Sequence, residues 1–371
     1  MSVLLFSGYN QRAIIAFCRF AISHNIDFRI VAKKNDTIFI SAYQSKVIAV
    51  REKDTLSLQE IIKYRDLMKK EIEFDRLIIL PSTEYLNRFL VSNQAELENN
   101  SIIVPLVNQS LYERISDKYS FGELCAKFSI NIPDEIELTQ EHYYPIVAKP
   151  KKYFGNNGKI YNPFILSDKK QLESFFKDND KSNFYFQKFI GGKSYYLLFY
   201  FSLNHGYSVY SQENLIQQCN GKSIIAAKSS LIHKHEITNK IIEMFVELNF
   251  HGLVMIELKY YNDNFYMIEA NPRLWGPLQL ILDANMNLLH RFAFDYKLIS
   301  NFSSLAYKAF EAYYWSGGII QDQQKLNKVS FHNYNESQFF SEISTFAIND
   351  VYAREDTIQI YLKELKVENY E

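Results

Sequence analysis

The stretch MIEANPRLWG, residues 267–276, places Glu269, Asn271 and Arg273 at alternate positions before it runs into Trp275 and Gly276. In a strand, successive side chains point to opposite faces, so an acid, an amide and a cation share one face while Ile268 and Ala270 take the other. Residues 253–260 just upstream are also β-like, and the YNDN between the two runs has turn composition. A three-residue loop of Asn262, Asp263 and Asn264, with Asn264 left-handed, predicts Glu257 directly opposite Glu269. Val254, Ile256, Leu258, Tyr266, Ile268 and Ala270 then form a core face. Glu257, Lys259, Glu269, Asn271 and Arg273 form a site face.

Carboxylates paired across two strands have β-carbons about 5 Å apart, and at an effective dielectric near 20 their repulsion is on the order of 3 kcal/mol when both are ionised. Three things could offset it: protonation of one acid, neutralisation by Lys259 and Arg273, or a divalent cation between the acids. Two carboxylates and an amide suit Mg²⁺ or Mn²⁺ and do not suit zinc. Magnesium with so few protein ligands completes its shell with water and phosphate oxygens, so this geometry asks for a phosphorylated ligand. A structural ion-pair ladder with Arg273 explains the hairpin equally well.

Two upstream stretches supply possible partners. In YPIVAKPKKYFGNNGKIY, residues 144–161, Lys149 ends a short strand closed by Pro150, and residues 153–158 form a glycine loop whose backbone N–H groups could fold over phosphate oxygens. The loop is not a phosphate-binding Walker loop, because GNNGKI is too short and no Ser or Thr follows the lysine. A plain hairpin turn at Asn156, Asn157 and Gly158 is the competing reading. In FYFQKFIGGKSYYL, residues 184–197, an apolar strand breaks at Gly191 and Gly192, and Phe189 and Ile190 could wall an adenine. A simple strand connection would look the same.

Around these segments, 371 residues suggest two or three domains or subdomains. Strands at residues 3–6, 28–32 and 76–80 alternate with helices at 11–24 and 84–95, which implies a parallel α/β layer over residues 1–115. Glu84 follows a strand end, where open α/β sheets bind ligands, or it is a first-turn acid favoured by the helix dipole. Residues 116–186 read as helix, strand, glycine loop, strand and helix, with a helix at 116–128 capped by Ser116. Residues 187–300 form a second α+β unit with a helix at 238–249, and residues 301–371 pack around its periphery.

A formal net charge of −1 argues against a broad electrostatic footprint for nucleic acid or anionic lipid. Cys18, Cys125 and Cys219 are odd in number and far apart, so they suggest neither a disulfide framework nor a zinc knuckle. No apolar run approaches the roughly 20 residues of a membrane helix, and the start lacks a basic leader segment. The expectation is a cytoplasmic protein with no membrane or nucleic-acid partner.

Taken in order, these segments resemble the ATP-grasp superfamily, in its carboxylate–amine ligase branch related to carbamoyl phosphate synthase and biotin carboxylase. EANPRLWG is similar to the family's E-x-N-x-R stretch followed by an aromatic and glycine. The resemblance implies an N-terminal pre-ATP-grasp α/β domain (1–115), a small lobe with a glycine lid (116–186), a large lobe with the Mg-ATP site (187–300) and a C-terminal extension on that lobe (301–371). It also implies that Glu257, Glu269 and Asn271 ligate Mg²⁺ or Mn²⁺, with two ions bridging the ATP phosphates. Arg273 would bind the transferred phosphoryl group or a substrate carboxylate, and Lys118 and Lys149 would contact phosphates. Gly155 and Gly158 would belong to a mobile lid, and Gln187, Lys188, Phe189 and Ile190 to an adenine hinge. Lys193 and Ser194 stand where many relatives carry an acid for the ribose, so Ser194 takes that place.

The activity implied is formation of an amide or peptide bond from a small-molecule carboxylate and an amine by way of an acyl phosphate, with ADP released. A homodimer is the assembly left open. The rival is a nucleotide-binding regulatory module with this fold and no turnover. His233 and His235 could form a metal pair, but no other soft ligand lies near them in sequence. The aromatic runs around residues 184–201 read as sheet core, and Trp315 as a packing anchor that could also wall an acceptor pocket.

Overall fold

The computed structural model describes residues 1–138, 144–155, 158–332 and 334–366. Asn156 and Asn157 of the expected glycine loop lie outside the described residues.

The N-terminal part is a parallel five-stranded sheet of β1 (Ser2–Phe6), β2 (Phe28–Lys33), β3 (Val47–Arg51), β4 (Leu77–Ile79) and β5 (Ile102–Ile103), in the order β3-β2-β1-β4-β5. β1 is buried along its whole length because both of its faces are covered. Val3 and Leu5 pack with the helix Gln11–Ser23, whereas Leu4 and Phe6 join a second cluster on the other side. The sequence reading missed β3, which is half-exposed, and β5, which is only two residues long.

The helix expected at 116–128 is broken. Gln109–Ser116 and Lys118–Lys127 are separate helices, and Asp117 between them is extended. Its carboxylate accepts hydrogen bonds from Arg88 Nη2 at 2.5 Å and from the Tyr153 amide at 3.0 Å, and the extended backbone is what lets it reach both. Ser116 caps nothing there; its hydroxyl accepts from Arg88 Nη2 at 2.9 Å.

A small antiparallel sheet of β6 (Ile146–Pro150), β7 (Phe164–Leu166) and β8 (Phe184–Lys188), in the order β7-β6-β8, carries the helix Lys169–Asp178. Asp168 caps that helix through the Gln171 amide. Phe175, Phe184 and Phe186 form a core of their own with Ile146 and Leu166.

The third sheet is antiparallel and has seven strands: β9 (Lys193–Phe201), β10 (Tyr207–Gln217), β11 (Ile224–Ser230), β12 (Gly252–Tyr261), β13 (Asn264–Asn271), β14 (Ala312–Tyr314) and β15 (Ser330–Phe331). Residues after 300 therefore do more than cover the periphery, since β14 extends the sheet beyond β11 and β15 pairs with β10. One sheet face packs Leu197, Phe199 and Ile256 against Ile241 and Phe245 of the helix Glu236–Glu247. The other packs Leu198, Tyr200 and Met255 in one cluster with the helix Gln11–Ser23. Among the described residues no helix is long and apolar enough to cross a membrane.

The β12–β13 hairpin corrects the sequence reading in an instructive way. Its loop has two residues, because Tyr261 pairs with Asn264, and Asn262 and Asp263 both have positive φ, at 47° and 59°. That tight turn alone would set Glu257 one residue out of line with Glu269. A β-bulge after the Leu258–Met267 pair takes up one residue, Ile268, and restores Glu257 opposite Glu269. Between the bulge and the turn the faces are consequently swapped. Phe265 and Met267 are the core residues, while Tyr266 and Ile268, expected on the core face, are only half-buried.

Candidate functional site

A cleft of about 1680 Å³ opens among the three sheets, and Lys118, Lys149, Glu257, Glu269, Asn271 and Arg273 all line it. The structure thus brings together segments separated by more than a hundred residues. Asn271 Nδ2 donates to Glu269 Oε1 at 2.8 Å, and Arg273 Nη2 donates to Asn271 Oδ1 at 2.8 Å. Lys118 Nζ forms a salt bridge with Glu269 Oε2. Lys149, only 5% exposed, donates to the carbonyl of Ile268 at 3.0 Å. The bulge therefore presents a main-chain acceptor to the lysine as well as setting the acids in register.

The electrostatics separate the two acids. Burial, followed by the facing Glu269 charge, pushes the Glu257 carboxyl up to about 7. Burial acts on Glu269 in the same direction but is outweighed by Lys118 and by the Asn271 hydrogen bond, and its carboxyl is held below the usual range. Burial and the neighbouring Lys118 charge bring the Lys149 ammonium down to about 8. Of the offsets open from sequence, the charges of Lys259 on Glu257 and of Arg273 on Glu269 both act in the expected direction, and Lys118 adds a direct ion pair that the sequence reading did not include. Lys259 Nζ lies 3.2 Å from His332 Nδ1, and the cation bonded to Glu269 is Lys118.

The hinge candidates divide. Gln187, Lys188, Phe189 and Ile190 all line the cleft. Gln187 Nε2 donates to Pro133 O at 2.9 Å, while its buried Oε1 has no hydrogen-bond partner among the described residues. The Lys188 side chain is exposed and paired with Asp134. Gly192 has φ +85°, and a β-carbon there would meet Tyr260 O at 2.3 Å, so glycine lets the connection lie directly against β12. Ser194, assigned to the ribose, is placed elsewhere. It is fully buried and accepts from Asn214 Nδ2 at 3.0 Å, because strand alternation turns it into the sheet polar network. Gly155 and Gly158 do not line the cleft either. Gly158 N bonds Gly155 O at 2.9 Å and Gly155 N bonds Lys159 O at 2.9 Å.

The remaining candidates have local structural partners. Glu84 sits in the first turn of the helix Glu84–Ser92, pairs with Arg88 at 2.7 Å and accepts from Tyr112 Oη at 2.8 Å. His235 caps the helix Glu236–Glu247, and His233 Nδ1 lies 2.8 Å from Ser211 Oγ. Cys18 and Cys125 are buried free thiols, and Cys219 is half-buried.

Sequence reasoning missed Arg12, Tyr352 and Glu364, which line the same cleft from opposite ends of the chain. Nothing local in the sequence marks them. Their partners are distant in sequence: Ile224 and Tyr313 lie more than two hundred residues from Arg12, and Trp315 lies 49 residues from Glu364.

The ATP-grasp domain family matches residues 115–277, a span that starts just before the helix carrying Lys118 and ends just after EANPRLWG. Residues 115–277 are an ATP-grasp domain. Among curated proteins, none matches the chain. Among solved structures, the fold is similar to pyruvate carboxylase of Rhizobium etli, with TM-score 0.60, 14% identity, and coverage of 83% of this chain and 30% of that one. It is also similar to the biotin carboxylase domain of Hydrogenobacter thermophilus 2-oxoglutarate carboxylase, with TM-score 0.58, 14% identity and coverage of 84% and 73%. A third is the purK product, N5-carboxyaminoimidazole ribonucleotide synthetase, with TM-score 0.61, 14% identity and coverage of 94% and 96%. The chain spans less than a third of the pyruvate carboxylase, and nearly the whole of the synthetase has a counterpart here. The ATP-grasp fold and its N-terminal parallel sheet are therefore as the sequence resemblance implied.

Proposed function

We propose that the protein is an ATP-dependent, ADP-forming ligase that activates a carboxylate as an acyl phosphate and couples it to an amine. The observation that carries this reading is the register of Glu257 against Glu269, with Asn271 and Arg273 beside them in a cleft reached by Lys118 and Lys149. Support comes from the solved neighbours: the carboxylase domain was crystallised with MgADP and bicarbonate, and the synthetase with ADP.

The residues fit the groups this reading requires. Among the described residues no three His, Cys, Asp or Glu side chains cluster to hold a metal alone. Glu257, Glu269 and Asn271 would therefore hold Mg²⁺ or Mn²⁺ only as part of a shell shared with phosphate oxygens. A cation there would supply charge neutralisation for those oxygens. The buried, unpartnered Gln187 Oε1 suits an amino-group donor such as adenine carries.

The chain's own groups do the rest. Lys149, fixed at the end of β6 and hydrogen-bonded to Ile268 O, presents a positive charge that needs no reorganisation as negative charge builds on the transferred phosphoryl group. Arg273, whose Nε is buried without a partner, is held by Asn271 and the Leu274 carbonyl and can bind that group or the carboxylate that attacks it. The carboxylate oxygen bonds to the γ-phosphorus as the bond to ADP breaks. The amine nitrogen then attacks the acyl carbon, phosphate leaves, and the nitrogen loses a proton. No nucleophilic side chain is needed.

The Lys118–Glu269 contact is also what a purely structural ion pair would show. Thermal melting with and without Mg-ATP separates the two. The ligase reading requires a clear rise in Tm, and no shift would remove the nucleotide assignment. With ATP binding established, release of ADP that depends on an added carboxylate and amine distinguishes the ligase from a binding module without turnover.

A further inference from the structure

A part of the cleft wall that this chemistry leaves unused is built from the two ends of the chain around Trp315. Arg12 Cζ lies 3.8 Å from the centre of the Trp315 ring, and Trp315 Nε1 donates to Glu364 Oε2 at 2.9 Å. A cation and an acid thus touch one indole, yet no ion pair joins them among the described residues. Arg12 is 8% exposed, and its Nη1 is engaged by Ile224 O at 2.8 Å and Tyr313 Oη at 3.1 Å. Its Nη2 has no hydrogen-bond partner among the described residues. Both charged groups also require a missing β-carbon: one at Gly276 would stand 2.8 Å from Arg12 Nη2, and one at Gly317 would stand 2.1 Å from Glu364 Oε2. Burial pushes the Glu364 carboxyl up to about 7, against the Trp315 hydrogen bond and the Arg12 charge.

A nearly buried guanidinium stacked on the face of an indole whose N–H is bonded to a half-buried acid, with no ion pair between the two charges, is an unfavourable arrangement for an empty pocket. It becomes favourable when a ligand supplies the opposite charge to each group. We propose that this pocket binds the α-amino-acid head group of a substrate, the α-carboxylate on Arg12 and the α-ammonium on Glu364, beside the Trp315 indole that carries both groups. Resting on the ligase reading, the other end of that ligand points to Arg273 and carries the carboxylate or amine that reacts. Tyr196, which lines the same cleft, feels the charges of Glu257, Glu269, Arg273 and Arg12 alike.

The test is calorimetric titration of the nucleotide-free, full-length protein with the common L-amino acids, and with glutarate and butylamine, each of which lacks one of the two head-group charges. At least one amino acid should bind saturably and about tenfold or more tighter than either control, the gain of roughly one charge-assisted contact. Arg12→Gln should weaken both the amino acid and glutarate, whereas Glu364→Gln should weaken only the amino acid. If no amino acid outbinds glutarate, or if Glu364→Gln leaves amino-acid affinity unchanged, the proposal is overturned. Glu364 is half-buried on the C-terminal helix, so its variant decides the matter even where Arg12→Gln fails to fold. Melting of the same preparations with Mg-ATP keeps the two readings apart. Stabilisation by Mg-ATP without amino-acid binding overturns the pocket and leaves the ligase standing, and amino-acid binding without such stabilisation does the reverse.

Discussion

At the scale of single residues, the facing acids Glu257 and Glu269 have opposite effects on stability. Glu257 keeps its proton in the folded state up to about pH 7, while in the unfolded chain it loses it near its ordinary value of 4.5. Between those values the folded state binds more protons than the unfolded one, so this group's contribution to stability falls as pH rises through the window. Glu257→Gln should therefore raise Tm at pH 8, by the equivalent of about 3 kcal/mol, and the gain should vanish near pH 4. Melts of both proteins across that range check it, and a constant difference would show that Glu257 is not the group responsible. Glu269, held below its ordinary value by Lys118 and Asn271, adds stability above about pH 4.5 that is lost as the pH falls. Glu269→Ala should abolish ADP formation with the circular-dichroism spectrum unchanged, and an undiminished rate would disprove its role. These residues could be found from sequence because strand alternation is local. Arg12 and Glu364 could not, since only tertiary contacts bring residues 12, 315 and 364 together.

At the scale of elements, the hairpin shows a correct pairing reached through two compensating differences. From turn composition alone, a three-residue loop and a two-residue loop with a later bulge give the same Glu257–Glu269 pairing. They differ in which of Tyr266, Met267 and Ile268 faces the core, and the sequence reading was wrong there because Tyr266 and Ile268 are as apolar as Met267. The helix break at Asp117 was hidden for a similar reason: its partners, Arg88 and Tyr153, lie in other elements. Gly192 provides a test at this scale. With φ at +85° and a β-carbon 2.3 Å from Tyr260 O, Gly192→Ala should cost on the order of 1–3 kcal/mol by urea denaturation. An unchanged midpoint would mean that the connection can move away from β12 freely.

For the whole molecule, one apolar cluster joins three of the four segments drawn from sequence, residues 1–115, 187–300 and 301–371, and leaves out 116–186. Val3 and Phe17 from the N-terminal sheet and its helix, Leu198 and Met255 from the large sheet, and Tyr313, Trp315, Val351 and Ile360 from the C-terminal segment share one core. Arg19 strengthens the join, donating to both carboxylate oxygens of Asp356 at 2.8 and 2.9 Å. A chain ending at residue 300 would lose β14, β15 and that part of the core. It should melt without a cooperative transition or aggregate on size-exclusion chromatography, and a sharp melt at the full-length temperature would show the C-terminal segment to be dispensable. The fold class was legible because alternating strands and helices, followed by long β runs, are visible in order. The incorporation of the tail into the sheet was not, because three-residue and two-residue strands carry no periodicity of their own.

The small sheet differs from the rest in keeping its phenylalanines to itself. Because Phe175, Phe184 and Phe186 bury one another, that lobe has an apolar core of its own, and a turn about its connection at Gly191 and Gly192 would leave both larger cores whole. It is joined to the rest by polar ties, among them Lys149 to Ile268 O and the Tyr153 amide to Asp117, and by ring contacts of Tyr185 with Tyr119 and of Tyr153 with Arg88. Such a motion belongs with hinged domain movements of microseconds to milliseconds and not with the slower events that expose a core. Any such motion would run on a clock set by those contacts, while the lifetime of the folded chain runs on a separate and far slower one.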